Sequence, residues 1–439
     1  MKSSKVLGAL VTLGLAAAVA TPAMALENQF SGSFTSYYDL SNYSASYTMA
    51  QPLKDASTEN YFVQRVRLGY TAKASDDVKL VTKFEFDYGW YGNSSYGAGG
   101  RNQGGALGAD SVQMETKNLY LDLNVVKGLN AKIGMQGNSD AFKGVIFDAD
   151  MAGVLLSHEY DKASVSAGFF RFGDNTDSRT WSNINTIGKH TQDMFSLDGK
   201  YSISKELKLG AAYYYLTDDR IPALEAKVHT LGLNAEATVG PVALTGFALG
   251  QFGDYNKNDD AEGYAFNLGA KMPLGGGTGR AEFLYASGGD KAGKALYIPQ
   301  SAIGSEGGGF YDNEMIMLSR DKNAFTIDNA IVYDANNNNQ GVIFASAGYD
   351  YPFTPKLSGS ANLGLGWVAK DVANHDSKYL GTEVNCEVNY KLMPSVTLGA
   401  RAGYMVLGDY FKNTDLTNPL NPQTPDDIYD VKLIAKFSF

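Results

Sequence analysis

The 439-residue chain contains a single cysteine, Cys386, and only four histidines. One cysteine excludes an internal disulfide, a cysteine-cluster metal site and the C-x-x-C-H attachment of haem. The histidines are dispersed and show no H-E-x-x-H or similar spacing. They are His158, His190, His229 and His375. The sequence therefore predicts no metal site and no bound cofactor.

An excess of basic charge is also missing. The chain has 47 acidic and 37 basic side chains, a formal net charge of -10 and a pI near 5.0. Proteins that bind nucleic acids usually present a basic face, so we expect no nucleic-acid partner. The glycine-rich stretch 275–279 lacks the Lys-Ser/Thr that completes a phosphate-binding loop. With no catalytic motif recognised, the sequence does not predict an enzyme.

A long hydrophobic run occurs only at the N-terminus. Lys2 and Lys5 precede the apolar residues 6–20, which are followed by Ala23-Met24-Ala25. These are the parts of a secretory signal peptide, and the run is short of the about 20 residues that a membrane span needs. We predict a signal peptide over residues 1–25, export by the Sec pathway and cleavage to a mature chain 26–439. A retained helical anchor is the alternative.

In the mature chain, apolar residues alternate with polar ones. Hydrophobic residues make up 44% of the chain, yet mean hydropathy is only -0.22. The chain is also rich in Tyr, Phe and Gly, with 28, 22 and 49 residues. Such a composition is typical of a transmembrane β-barrel, which has aromatic girdles at both interfaces and a polar lumen. The predicted fold class is therefore all-β.

The final stretch, residues 429–439 (YDVKLIAKFSF), shows the alternation most clearly. Leu433 and Phe437 fall on one face, whereas Lys432 falls on the other. A repeat of two residues is that of a β-strand. The stretch predicts a last strand with one apolar and one polar face, ending on the aromatic residue Phe439.

Short turns alternate with long loops along the mature chain. The turns include 74–77 and 126–128, and the loops include 91–111 and 288–340. This asymmetry is typical of an antiparallel up-and-down transmembrane barrel, with short periplasmic turns and long external loops. We count about 18 strands, with 16 as the alternative, and an even number places both termini in the periplasm. A hairpin within 288–340 would raise the number.

These features together resemble the bacterial outer-membrane porins, over the whole mature chain 26–439. The likeness depends on the signal peptide, the strand rhythm, the terminal Phe439 and the stretch 132–153. It implies an outer-membrane location among lipid and lipopolysaccharide, a homotrimer, and an assembly machinery that recognises Phe439. It also implies passive diffusion of small hydrophilic solutes and ions through a water-filled channel. A substrate-selective channel and a porin-like sheath around a separate cytochrome are the alternatives.

In porins the third external loop folds into the lumen and narrows it with acidic residues, opposite basic residues on the wall. The resemblance implies that residues 137–152 form this constriction loop. Its candidate residues are Asp140, Lys143, Asp148 and Asp150. The candidate wall residues, expected in one patch once the barrel closes, are Arg65, Arg67, Lys83, Arg401 and Lys432. One departure from the family is that Gly134 is followed by Met135, where porins often have Arg.

Overall fold

The protein forms a closed antiparallel barrel in which eighteen strands pair in chain order. The structure, a computed structural model, describes residues 26–43, 52–86, 114–174, 188–221, 225–291, 293–299, 309, 311, 313–321, 330–372, 375–415 and 422–439. The predicted signal peptide, residues 1–25, lies outside the described residues. The predicted all-β, up-and-down barrel and its strand number are confirmed.

The strands run from 9 to 17 residues, long enough for tilted crossings of a bilayer. In chain order they are β1 Glu27–Ser41, β2 Glu59–Ser75, β3 Val78–Phe86, β4 Met114–Val126, β5 Leu129–Ser139, β6 Asp148–Glu159, β7 Ala163–Asp174, β8 Thr191–Ser202, β9 Leu207–Asp218, β10 Ala226–Val239, β11 Val242–Asp254, β12 Tyr264–Leu274, β13 Gly277–Ala286, β14 Val342–Pro352, β15 Leu357–Trp367, β16 Tyr379–Met393, β17 Val396–Leu407 and β18 Ile428–Ser438.

The barrel closes where β1 pairs with both β2 and β18. The N–H of Gly32 donates to the carbonyl of Phe439 over 3.0 Å, and the N–H of Phe439 donates to the carbonyl of Gly32 over 3.1 Å. A Cβ at Gly32 would lie 2.6 Å from the Phe439 ring, so this position accommodates only glycine without movement of the ring. The last residue of the chain is therefore part of the closing seam.

Side chains alternate between the two faces of every well-formed strand, as the period of two predicts. In β10, Leu231 and Leu233 are exposed on the outside. Thr230, the residue before Leu231, is buried on the inside. In β18, Leu433 is exposed and Lys432 is buried. The outer wall is thus apolar and the inner wall carries the polar and charged side chains, as expected for a barrel in lipid.

The connections at the two ends of the barrel differ in length. The end at which β1 begins and β18 ends has short turns such as 127–128, 240–241 and 275–276. The opposite end, which we call the long-loop end, carries the other connections, including 287–341 between β13 and β14. A 3₁₀ helix, Asp409–Phe411, lies in one of them. Among the described residues, no helix is long and apolar enough to cross a membrane.

The segment predicted as a long external loop, 288–340, adds no strand to the barrel in its described part. These residues make isolated bridges, Asn313 with Asp321 and Ser319 with Val332. The sheet therefore passes directly from β13 to β14, whose register runs from Thr278–Asp350 to Ala286–Val342.

Replacing Leu433 by Lys tests the outward position of the apolar face. Leu433 is near the middle of β18 and is 57% exposed. A lysine there would move its charge from water into hydrocarbon, which should destabilise the barrel by about 2–4 kcal/mol. Urea titration of barrels folded into lipid vesicles measures the change, with Leu433→Val as the apolar control. Equal stability of the Lys and Val variants would contradict a lipid-facing position.

Candidate functional site in the barrel lumen

The third connection at the long-loop end, residues 140–147 between β5 and β6, is called loop L3. Its first residue, Asp140, is buried, and its carboxylate accepts hydrogen bonds from four backbone amides of the same loop. The donors are Phe142 at 2.6 Å, Gly144 at 2.9 Å, Ile146 at 2.5 Å and Phe147 at 2.8 Å. Burial raises the pKa of Asp140 more than the four amides lower it, and the resulting pKa is about 6. Asp140 thus organises the loop and does not face a solute.

Loop L3 folds inward against the inner wall of β9–β11. The Phe142 ring lies 5.6 Å from that of Phe247 and 5.8 Å from that of Tyr214. The Tyr214 hydroxyl accepts from the Ala141 amide over 2.8 Å and donates to Asp198 over 2.6 Å. These contacts hold the loop inside the barrel, because its apolar side chains are covered by the wall.

Lys143 extends from loop L3 to the more distant strand β13. Its ammonium group forms an ion pair with Glu282 and lies 5.4 Å from the centre of the Tyr311 ring. Glu282 also accepts from Asn267 over 2.9 Å and from the Tyr311 hydroxyl. The backbone of Lys143 has a φ of 62°, so the loop turns sharply here. Loop L3 is therefore held inside the barrel by contacts with β9, β11 and β13.

Asp148 and Asp150 belong to β6, although the sequence predicted them in the loop. They pair with Ser139 and Gly137 of β5, so the predicted segment 137–152 divides into loop L3 and two strand ends. The β5–β6 pairing extends to Ser139 and Asp148, which the sequence predicted to lie in the loop. Asp150 forms an ion pair of 2.9 Å with Lys117 of β4.

The seventh connection at the long-loop end, residues 287–341, is called loop L7, and its described part also packs inside the barrel. A Cβ at Gly364 of β15 would lie 2.1 Å from the Met315 sulfur. A Cβ at Gly403 of β17 would lie 2.6 Å from Ile316. The bare backbone of these inward-facing glycines therefore admits the loop against the wall.

A buried carboxylate on β16 anchors loop L7. Glu383, which is 0% exposed, accepts from the amides of Ile316 at 2.9 Å, Met317 at 3.0 Å and Leu318 at 2.7 Å. The Asn385 amide group donates to the same carboxylate over 2.7 Å. Three consecutive amides of irregular backbone are satisfied by one side chain, and hydrogen bonds to a charged group are the stronger kind.

Two ion pairs fasten loop L7 on either side of this anchor. Arg280 of β13 lies 3.3 Å from Glu314, and Arg401 of β17 pairs with Asp321. Loops L3 and L7 also touch, because a Cβ at Gly309 would lie 2.7 Å from the Val145 carbonyl oxygen. This second inward segment was not predicted from the sequence, although the apolar run 315–318 within a polar loop is a signal for it.

Charged residues of β2–β4 form a cluster around Glu85, whose side chain is 2% exposed. Glu85 pairs with Arg67, and it lies 3.6 Å from Arg65 and 3.7 Å from Lys117. Lys83 interacts electrostatically with the same charges. The structure thus brings together three of the predicted wall residues, Arg65, Arg67 and Lys83. With Glu85 and Lys117 they form what we call the Glu85 cluster. Arg67 and Lys117 remain about one-third exposed, at 33% and 28%.

Lys117 was not predicted as a wall residue, because a bulge decides where its side chain lies. The pairing of β3 with β4 shifts between Lys83 and Phe84, which face Asn118 and Thr116. Lys117 is therefore the extra residue of β4, and strict alternation does not apply to it. No feature of the local sequence marks this shift.

The other two predicted wall residues, Arg401 and Lys432, belong to a separate network and are buried. Lys432 pairs with Asp430 and lies 2.7 Å from Asp39 of β1. Arg401 also lies 3.8 Å from Glu387. Lys432 thus meets Asp39 across the closing seam, whereas the partners of Arg401 lie in loop L7 and on β16. The ion pairs of Arg65 and Arg67 are made with a different carboxylate, Glu85.

In the parts of the chain that the structure describes, no group of three or more His, Cys, Asp or Glu side chains is placed to hold a metal ion. Cys386 is exposed and has no disulfide. It shares the outer face of β16 with the exposed Val384 and Val388, as the alternation predicts. The described chemistry of the lumen therefore consists of ion pairs, amides and hydroxyls.

Replacing Glu383 by Gln tests the anchor of loop L7. The change keeps the size of the side chain but removes the charge, which should weaken the anchor by roughly 1.5–3 kcal/mol. Loop L7 should then leave the wall more often, and trypsin should cut faster after Arg320. Mass spectrometry of the digested, folded barrel measures the cleavage rate.

The matched control is Glu236→Gln, which removes a carboxylate paired with Lys200 and Lys208 far from loop L7. If both variants are cut after Arg320 at the rate of the unaltered chain, Glu383 does not anchor the loop.

Comparisons with known proteins agree with this architecture. No family model matches the chain, and no curated protein matches it. Among solved structures, OpdL of Pseudomonas aeruginosa is similar with a TM-score of 0.57 at 14% identity, over 94% of this chain and 99% of that chain. OccK8 (OprE) of the same organism has a TM-score of 0.55 at 13% identity, over 94% and 98%.

The outer membrane protein OprD from Pseudomonas aeruginosa has a TM-score of 0.52 at 12% identity, over 94% of this chain and 93% of that chain. At such identities the likeness concerns the fold, and it extends over nearly the whole of each chain. The chain therefore has the fold of the bacterial outer-membrane porins, as the sequence predicted.

Proposed function

We propose that the protein is an outer-membrane channel through which small hydrophilic solutes and ions diffuse passively. The observation that supports this most is the closed barrel of eighteen strands with an apolar outer wall and a charged inner wall. A barrel of eight strands is filled by its side chains, whereas sixteen to eighteen strands leave room for an aqueous passage. The role requires no catalytic group.

Loops L3 and L7 restrict this passage, in our proposal. The hydrogen bonds and ion pairs described above attach these loops to β9–β17, although Arg320 of loop L7 also acts electrostatically on Asp148 of β6. In our proposal the Glu85 cluster on β2–β4, where Arg67 and Lys117 are about one-third exposed, is the charged surface that meets a solute. Within the cluster the four cations Arg65, Arg67, Lys83 and Lys117 exceed the single carboxylate of Glu85, and the neighbouring Asp148 and Asp150 offset part of this excess. The remaining positive charge favours anions at this point of the wall. The overall charge of the chain has the opposite sign, so local charge and net charge act differently on a permeating ion.

A substrate-selective channel is the second candidate, and the anchoring of loop L7 favours it. A segment held by Glu383 and two ion pairs is a fixed surface, and fixed polar surfaces discriminate between solutes better than flexible ones. The third alternative, a sheath around a cytochrome, is disfavoured because loops L3 and L7 take up space that such a partner would need.

The surroundings of the channel are part of the proposal. We infer export to the outer membrane, contact with lipid and lipopolysaccharide, recognition of Phe439 by the assembly machinery, and a homotrimer. The support for these inferences is the porin fold and the position of Phe439 in the closing seam.

Conductance of the refolded protein in a planar lipid bilayer tests the channel. We expect stepwise openings, which occur in groups of three if the barrel is a trimer. Liposome swelling with sugars of increasing size measures the size limit. Electrical silence of a correctly folded barrel would overturn the proposed function, and openings in single steps only would overturn the trimer.

Replacing Glu85 by Gln tests whether the cluster faces the passage. One charge removed at ~10 Å from a permeating ion in water changes its energy by about 0.4 kcal/mol, so the chloride preference should rise roughly twofold. The reversal potential in a salt gradient measures it. Glu262→Gln removes a carboxylate from the connection between β11 and β12 and serves as the control. Equal shifts in the two variants would contradict the assignment.

A further inference from the structure

A cavity of about 350 Å³ lies just inside the rim at the long-loop end. Its walls are the start of β8, the end of β9, the connection between β11 and β12, and described parts of loop L7. We call it the rim cavity. Its volume is at the lower end of the range of about 300–1,000 Å³ that ligand pockets occupy. Neither loop L3 nor the Glu85 cluster contributes to it.

The charges of the rim cavity cancel within its own wall. Asp218 accepts two hydrogen bonds from the guanidinium group of Arg220, at 2.9 and 2.7 Å. It also accepts from the Gln192 side chain over 2.9 Å and from the Arg220 amide over 3.2 Å. A carboxylate with this many donors has little capacity left for a cationic ligand. The cavity therefore offers no net charge to a solute.

Two tyrosines supply aromatic surface, and one of them is held rigidly. Tyr255 and Tyr297 meet edge to face, with ring centres 5.3 Å apart. The Gln251 side chain accepts from the Tyr297 amide over 2.7 Å and donates to the Tyr297 carbonyl over 3.0 Å. This double hydrogen bond fixes the backbone that carries the ring, so the surface is preorganised.

Part of the remaining wall is formed by three asparagines of loop L7, namely Asn336, Asn338 and Asn339. Asn337, Asn338 and Asn339 have φ values of 48°, 54° and 65°, the left-handed region that asparagine tolerates. The Asp334 carboxylate accepts from the Asn336 and Asn337 amides over 2.9 and 3.0 Å and holds this turn. The Asn336 side chain donates to the Leu296 carbonyl and accepts from the Asn339 amide, each over 2.7 Å, so it stabilises the wall itself. The turn thereby places Asn338 and Asn339, whose side chains have donor and acceptor atoms, at the cavity.

We propose that the rim cavity binds a neutral, polyhydroxylated solute of the saccharide class. Amides and phenols offer the paired donors and acceptors that vicinal hydroxyls need, and aromatic rings cover the apolar face of a sugar. An apolar solute would cover the polar atoms of the wall without forming hydrogen bonds to them, which is unfavourable. A charged solute would find no counter-charge. This inference deepens the proposed channel, because the cavity would take up the solute at its mouth.

Binding to the folded barrel in detergent tests this inference without any current. The probes are D-glucose and maltose, with D-gluconate and D-glucosamine as charged counterparts of glucose, measured by saturation-transfer NMR and calorimetry. We expect the neutral sugars to bind and the charged ones to bind at least tenfold more weakly. No binding of the neutral sugars, or stronger binding of a charged counterpart, would overturn the proposal.

Variants locate the binding. Tyr297→Ala removes the fixed ring and Asn339→Asp removes an amide donor at a φ that aspartate also tolerates. Each should weaken binding of maltose at least tenfold, while Asn258→Ala, in the same rim but outside the cavity wall, should not. Resistance of the folded barrel to unfolding in dodecyl sulfate verifies that the variants are folded. Unchanged binding in both cavity variants would place the sugar elsewhere and overturn the proposal.

The result is separable from that of the channel. If the barrel conducts ions but binds no neutral sugar, the cavity proposal fails and the channel stands. If sugar binds at the rim while the folded barrel stays electrically silent, the channel fails and the binding site stands.

Discussion

A β-sheet within a lipid bilayer cannot leave a strand edge unpaired, because hydrocarbon offers no partner to backbone amides and carbonyls. In this protein one seam meets that requirement. β1 pairs with β18, and Phe439 exchanges backbone hydrogen bonds with Gly32. Closure creates an inside and an outside, so the two faces of each strand meet different surroundings. The apolar face contacts lipid, the charged face lines the interior, and eighteen strands enclose more space than their side chains fill.

That interior space is occupied partly by backbone, which raises the same difficulty of unpaired amides. The protein meets it with buried carboxylates. Asp140 accepts four amides of loop L3, and Glu383 accepts three amides of loop L7. A carboxylate has two oxygens with several acceptor positions, so a single side chain can order a short stretch of irregular chain. The positions of loops L3 and L7 inside the barrel therefore depend on a few buried acidic side chains.

Most other charges of the lumen are paired as well. Glu85 holds Arg65, Arg67 and Lys117, while Lys432 lies between Asp39 and Asp430. The potential along the passage is then set by small local excesses of one sign, and not by opposed rows of free charges. The rim cavity continues this arrangement, because Asp218 and Arg220 neutralise each other within its wall.

The sequence by itself predicted the barrel and the orientation of its regular strands, because a period of two is a local property, while it left sixteen strands open beside eighteen. Leu433 is exposed and Lys432 is buried because neighbouring residues of a strand point to opposite faces. Only the tertiary structure decided the roles of Asp140, Lys117 and Glu383. Asp140 acts through the amides of its folded loop, Lys117 through a bulge opposite β3, and Glu383 through a segment more than sixty residues away along the chain. Such roles depend on contacts across the lumen, which exist only after the sheet has closed.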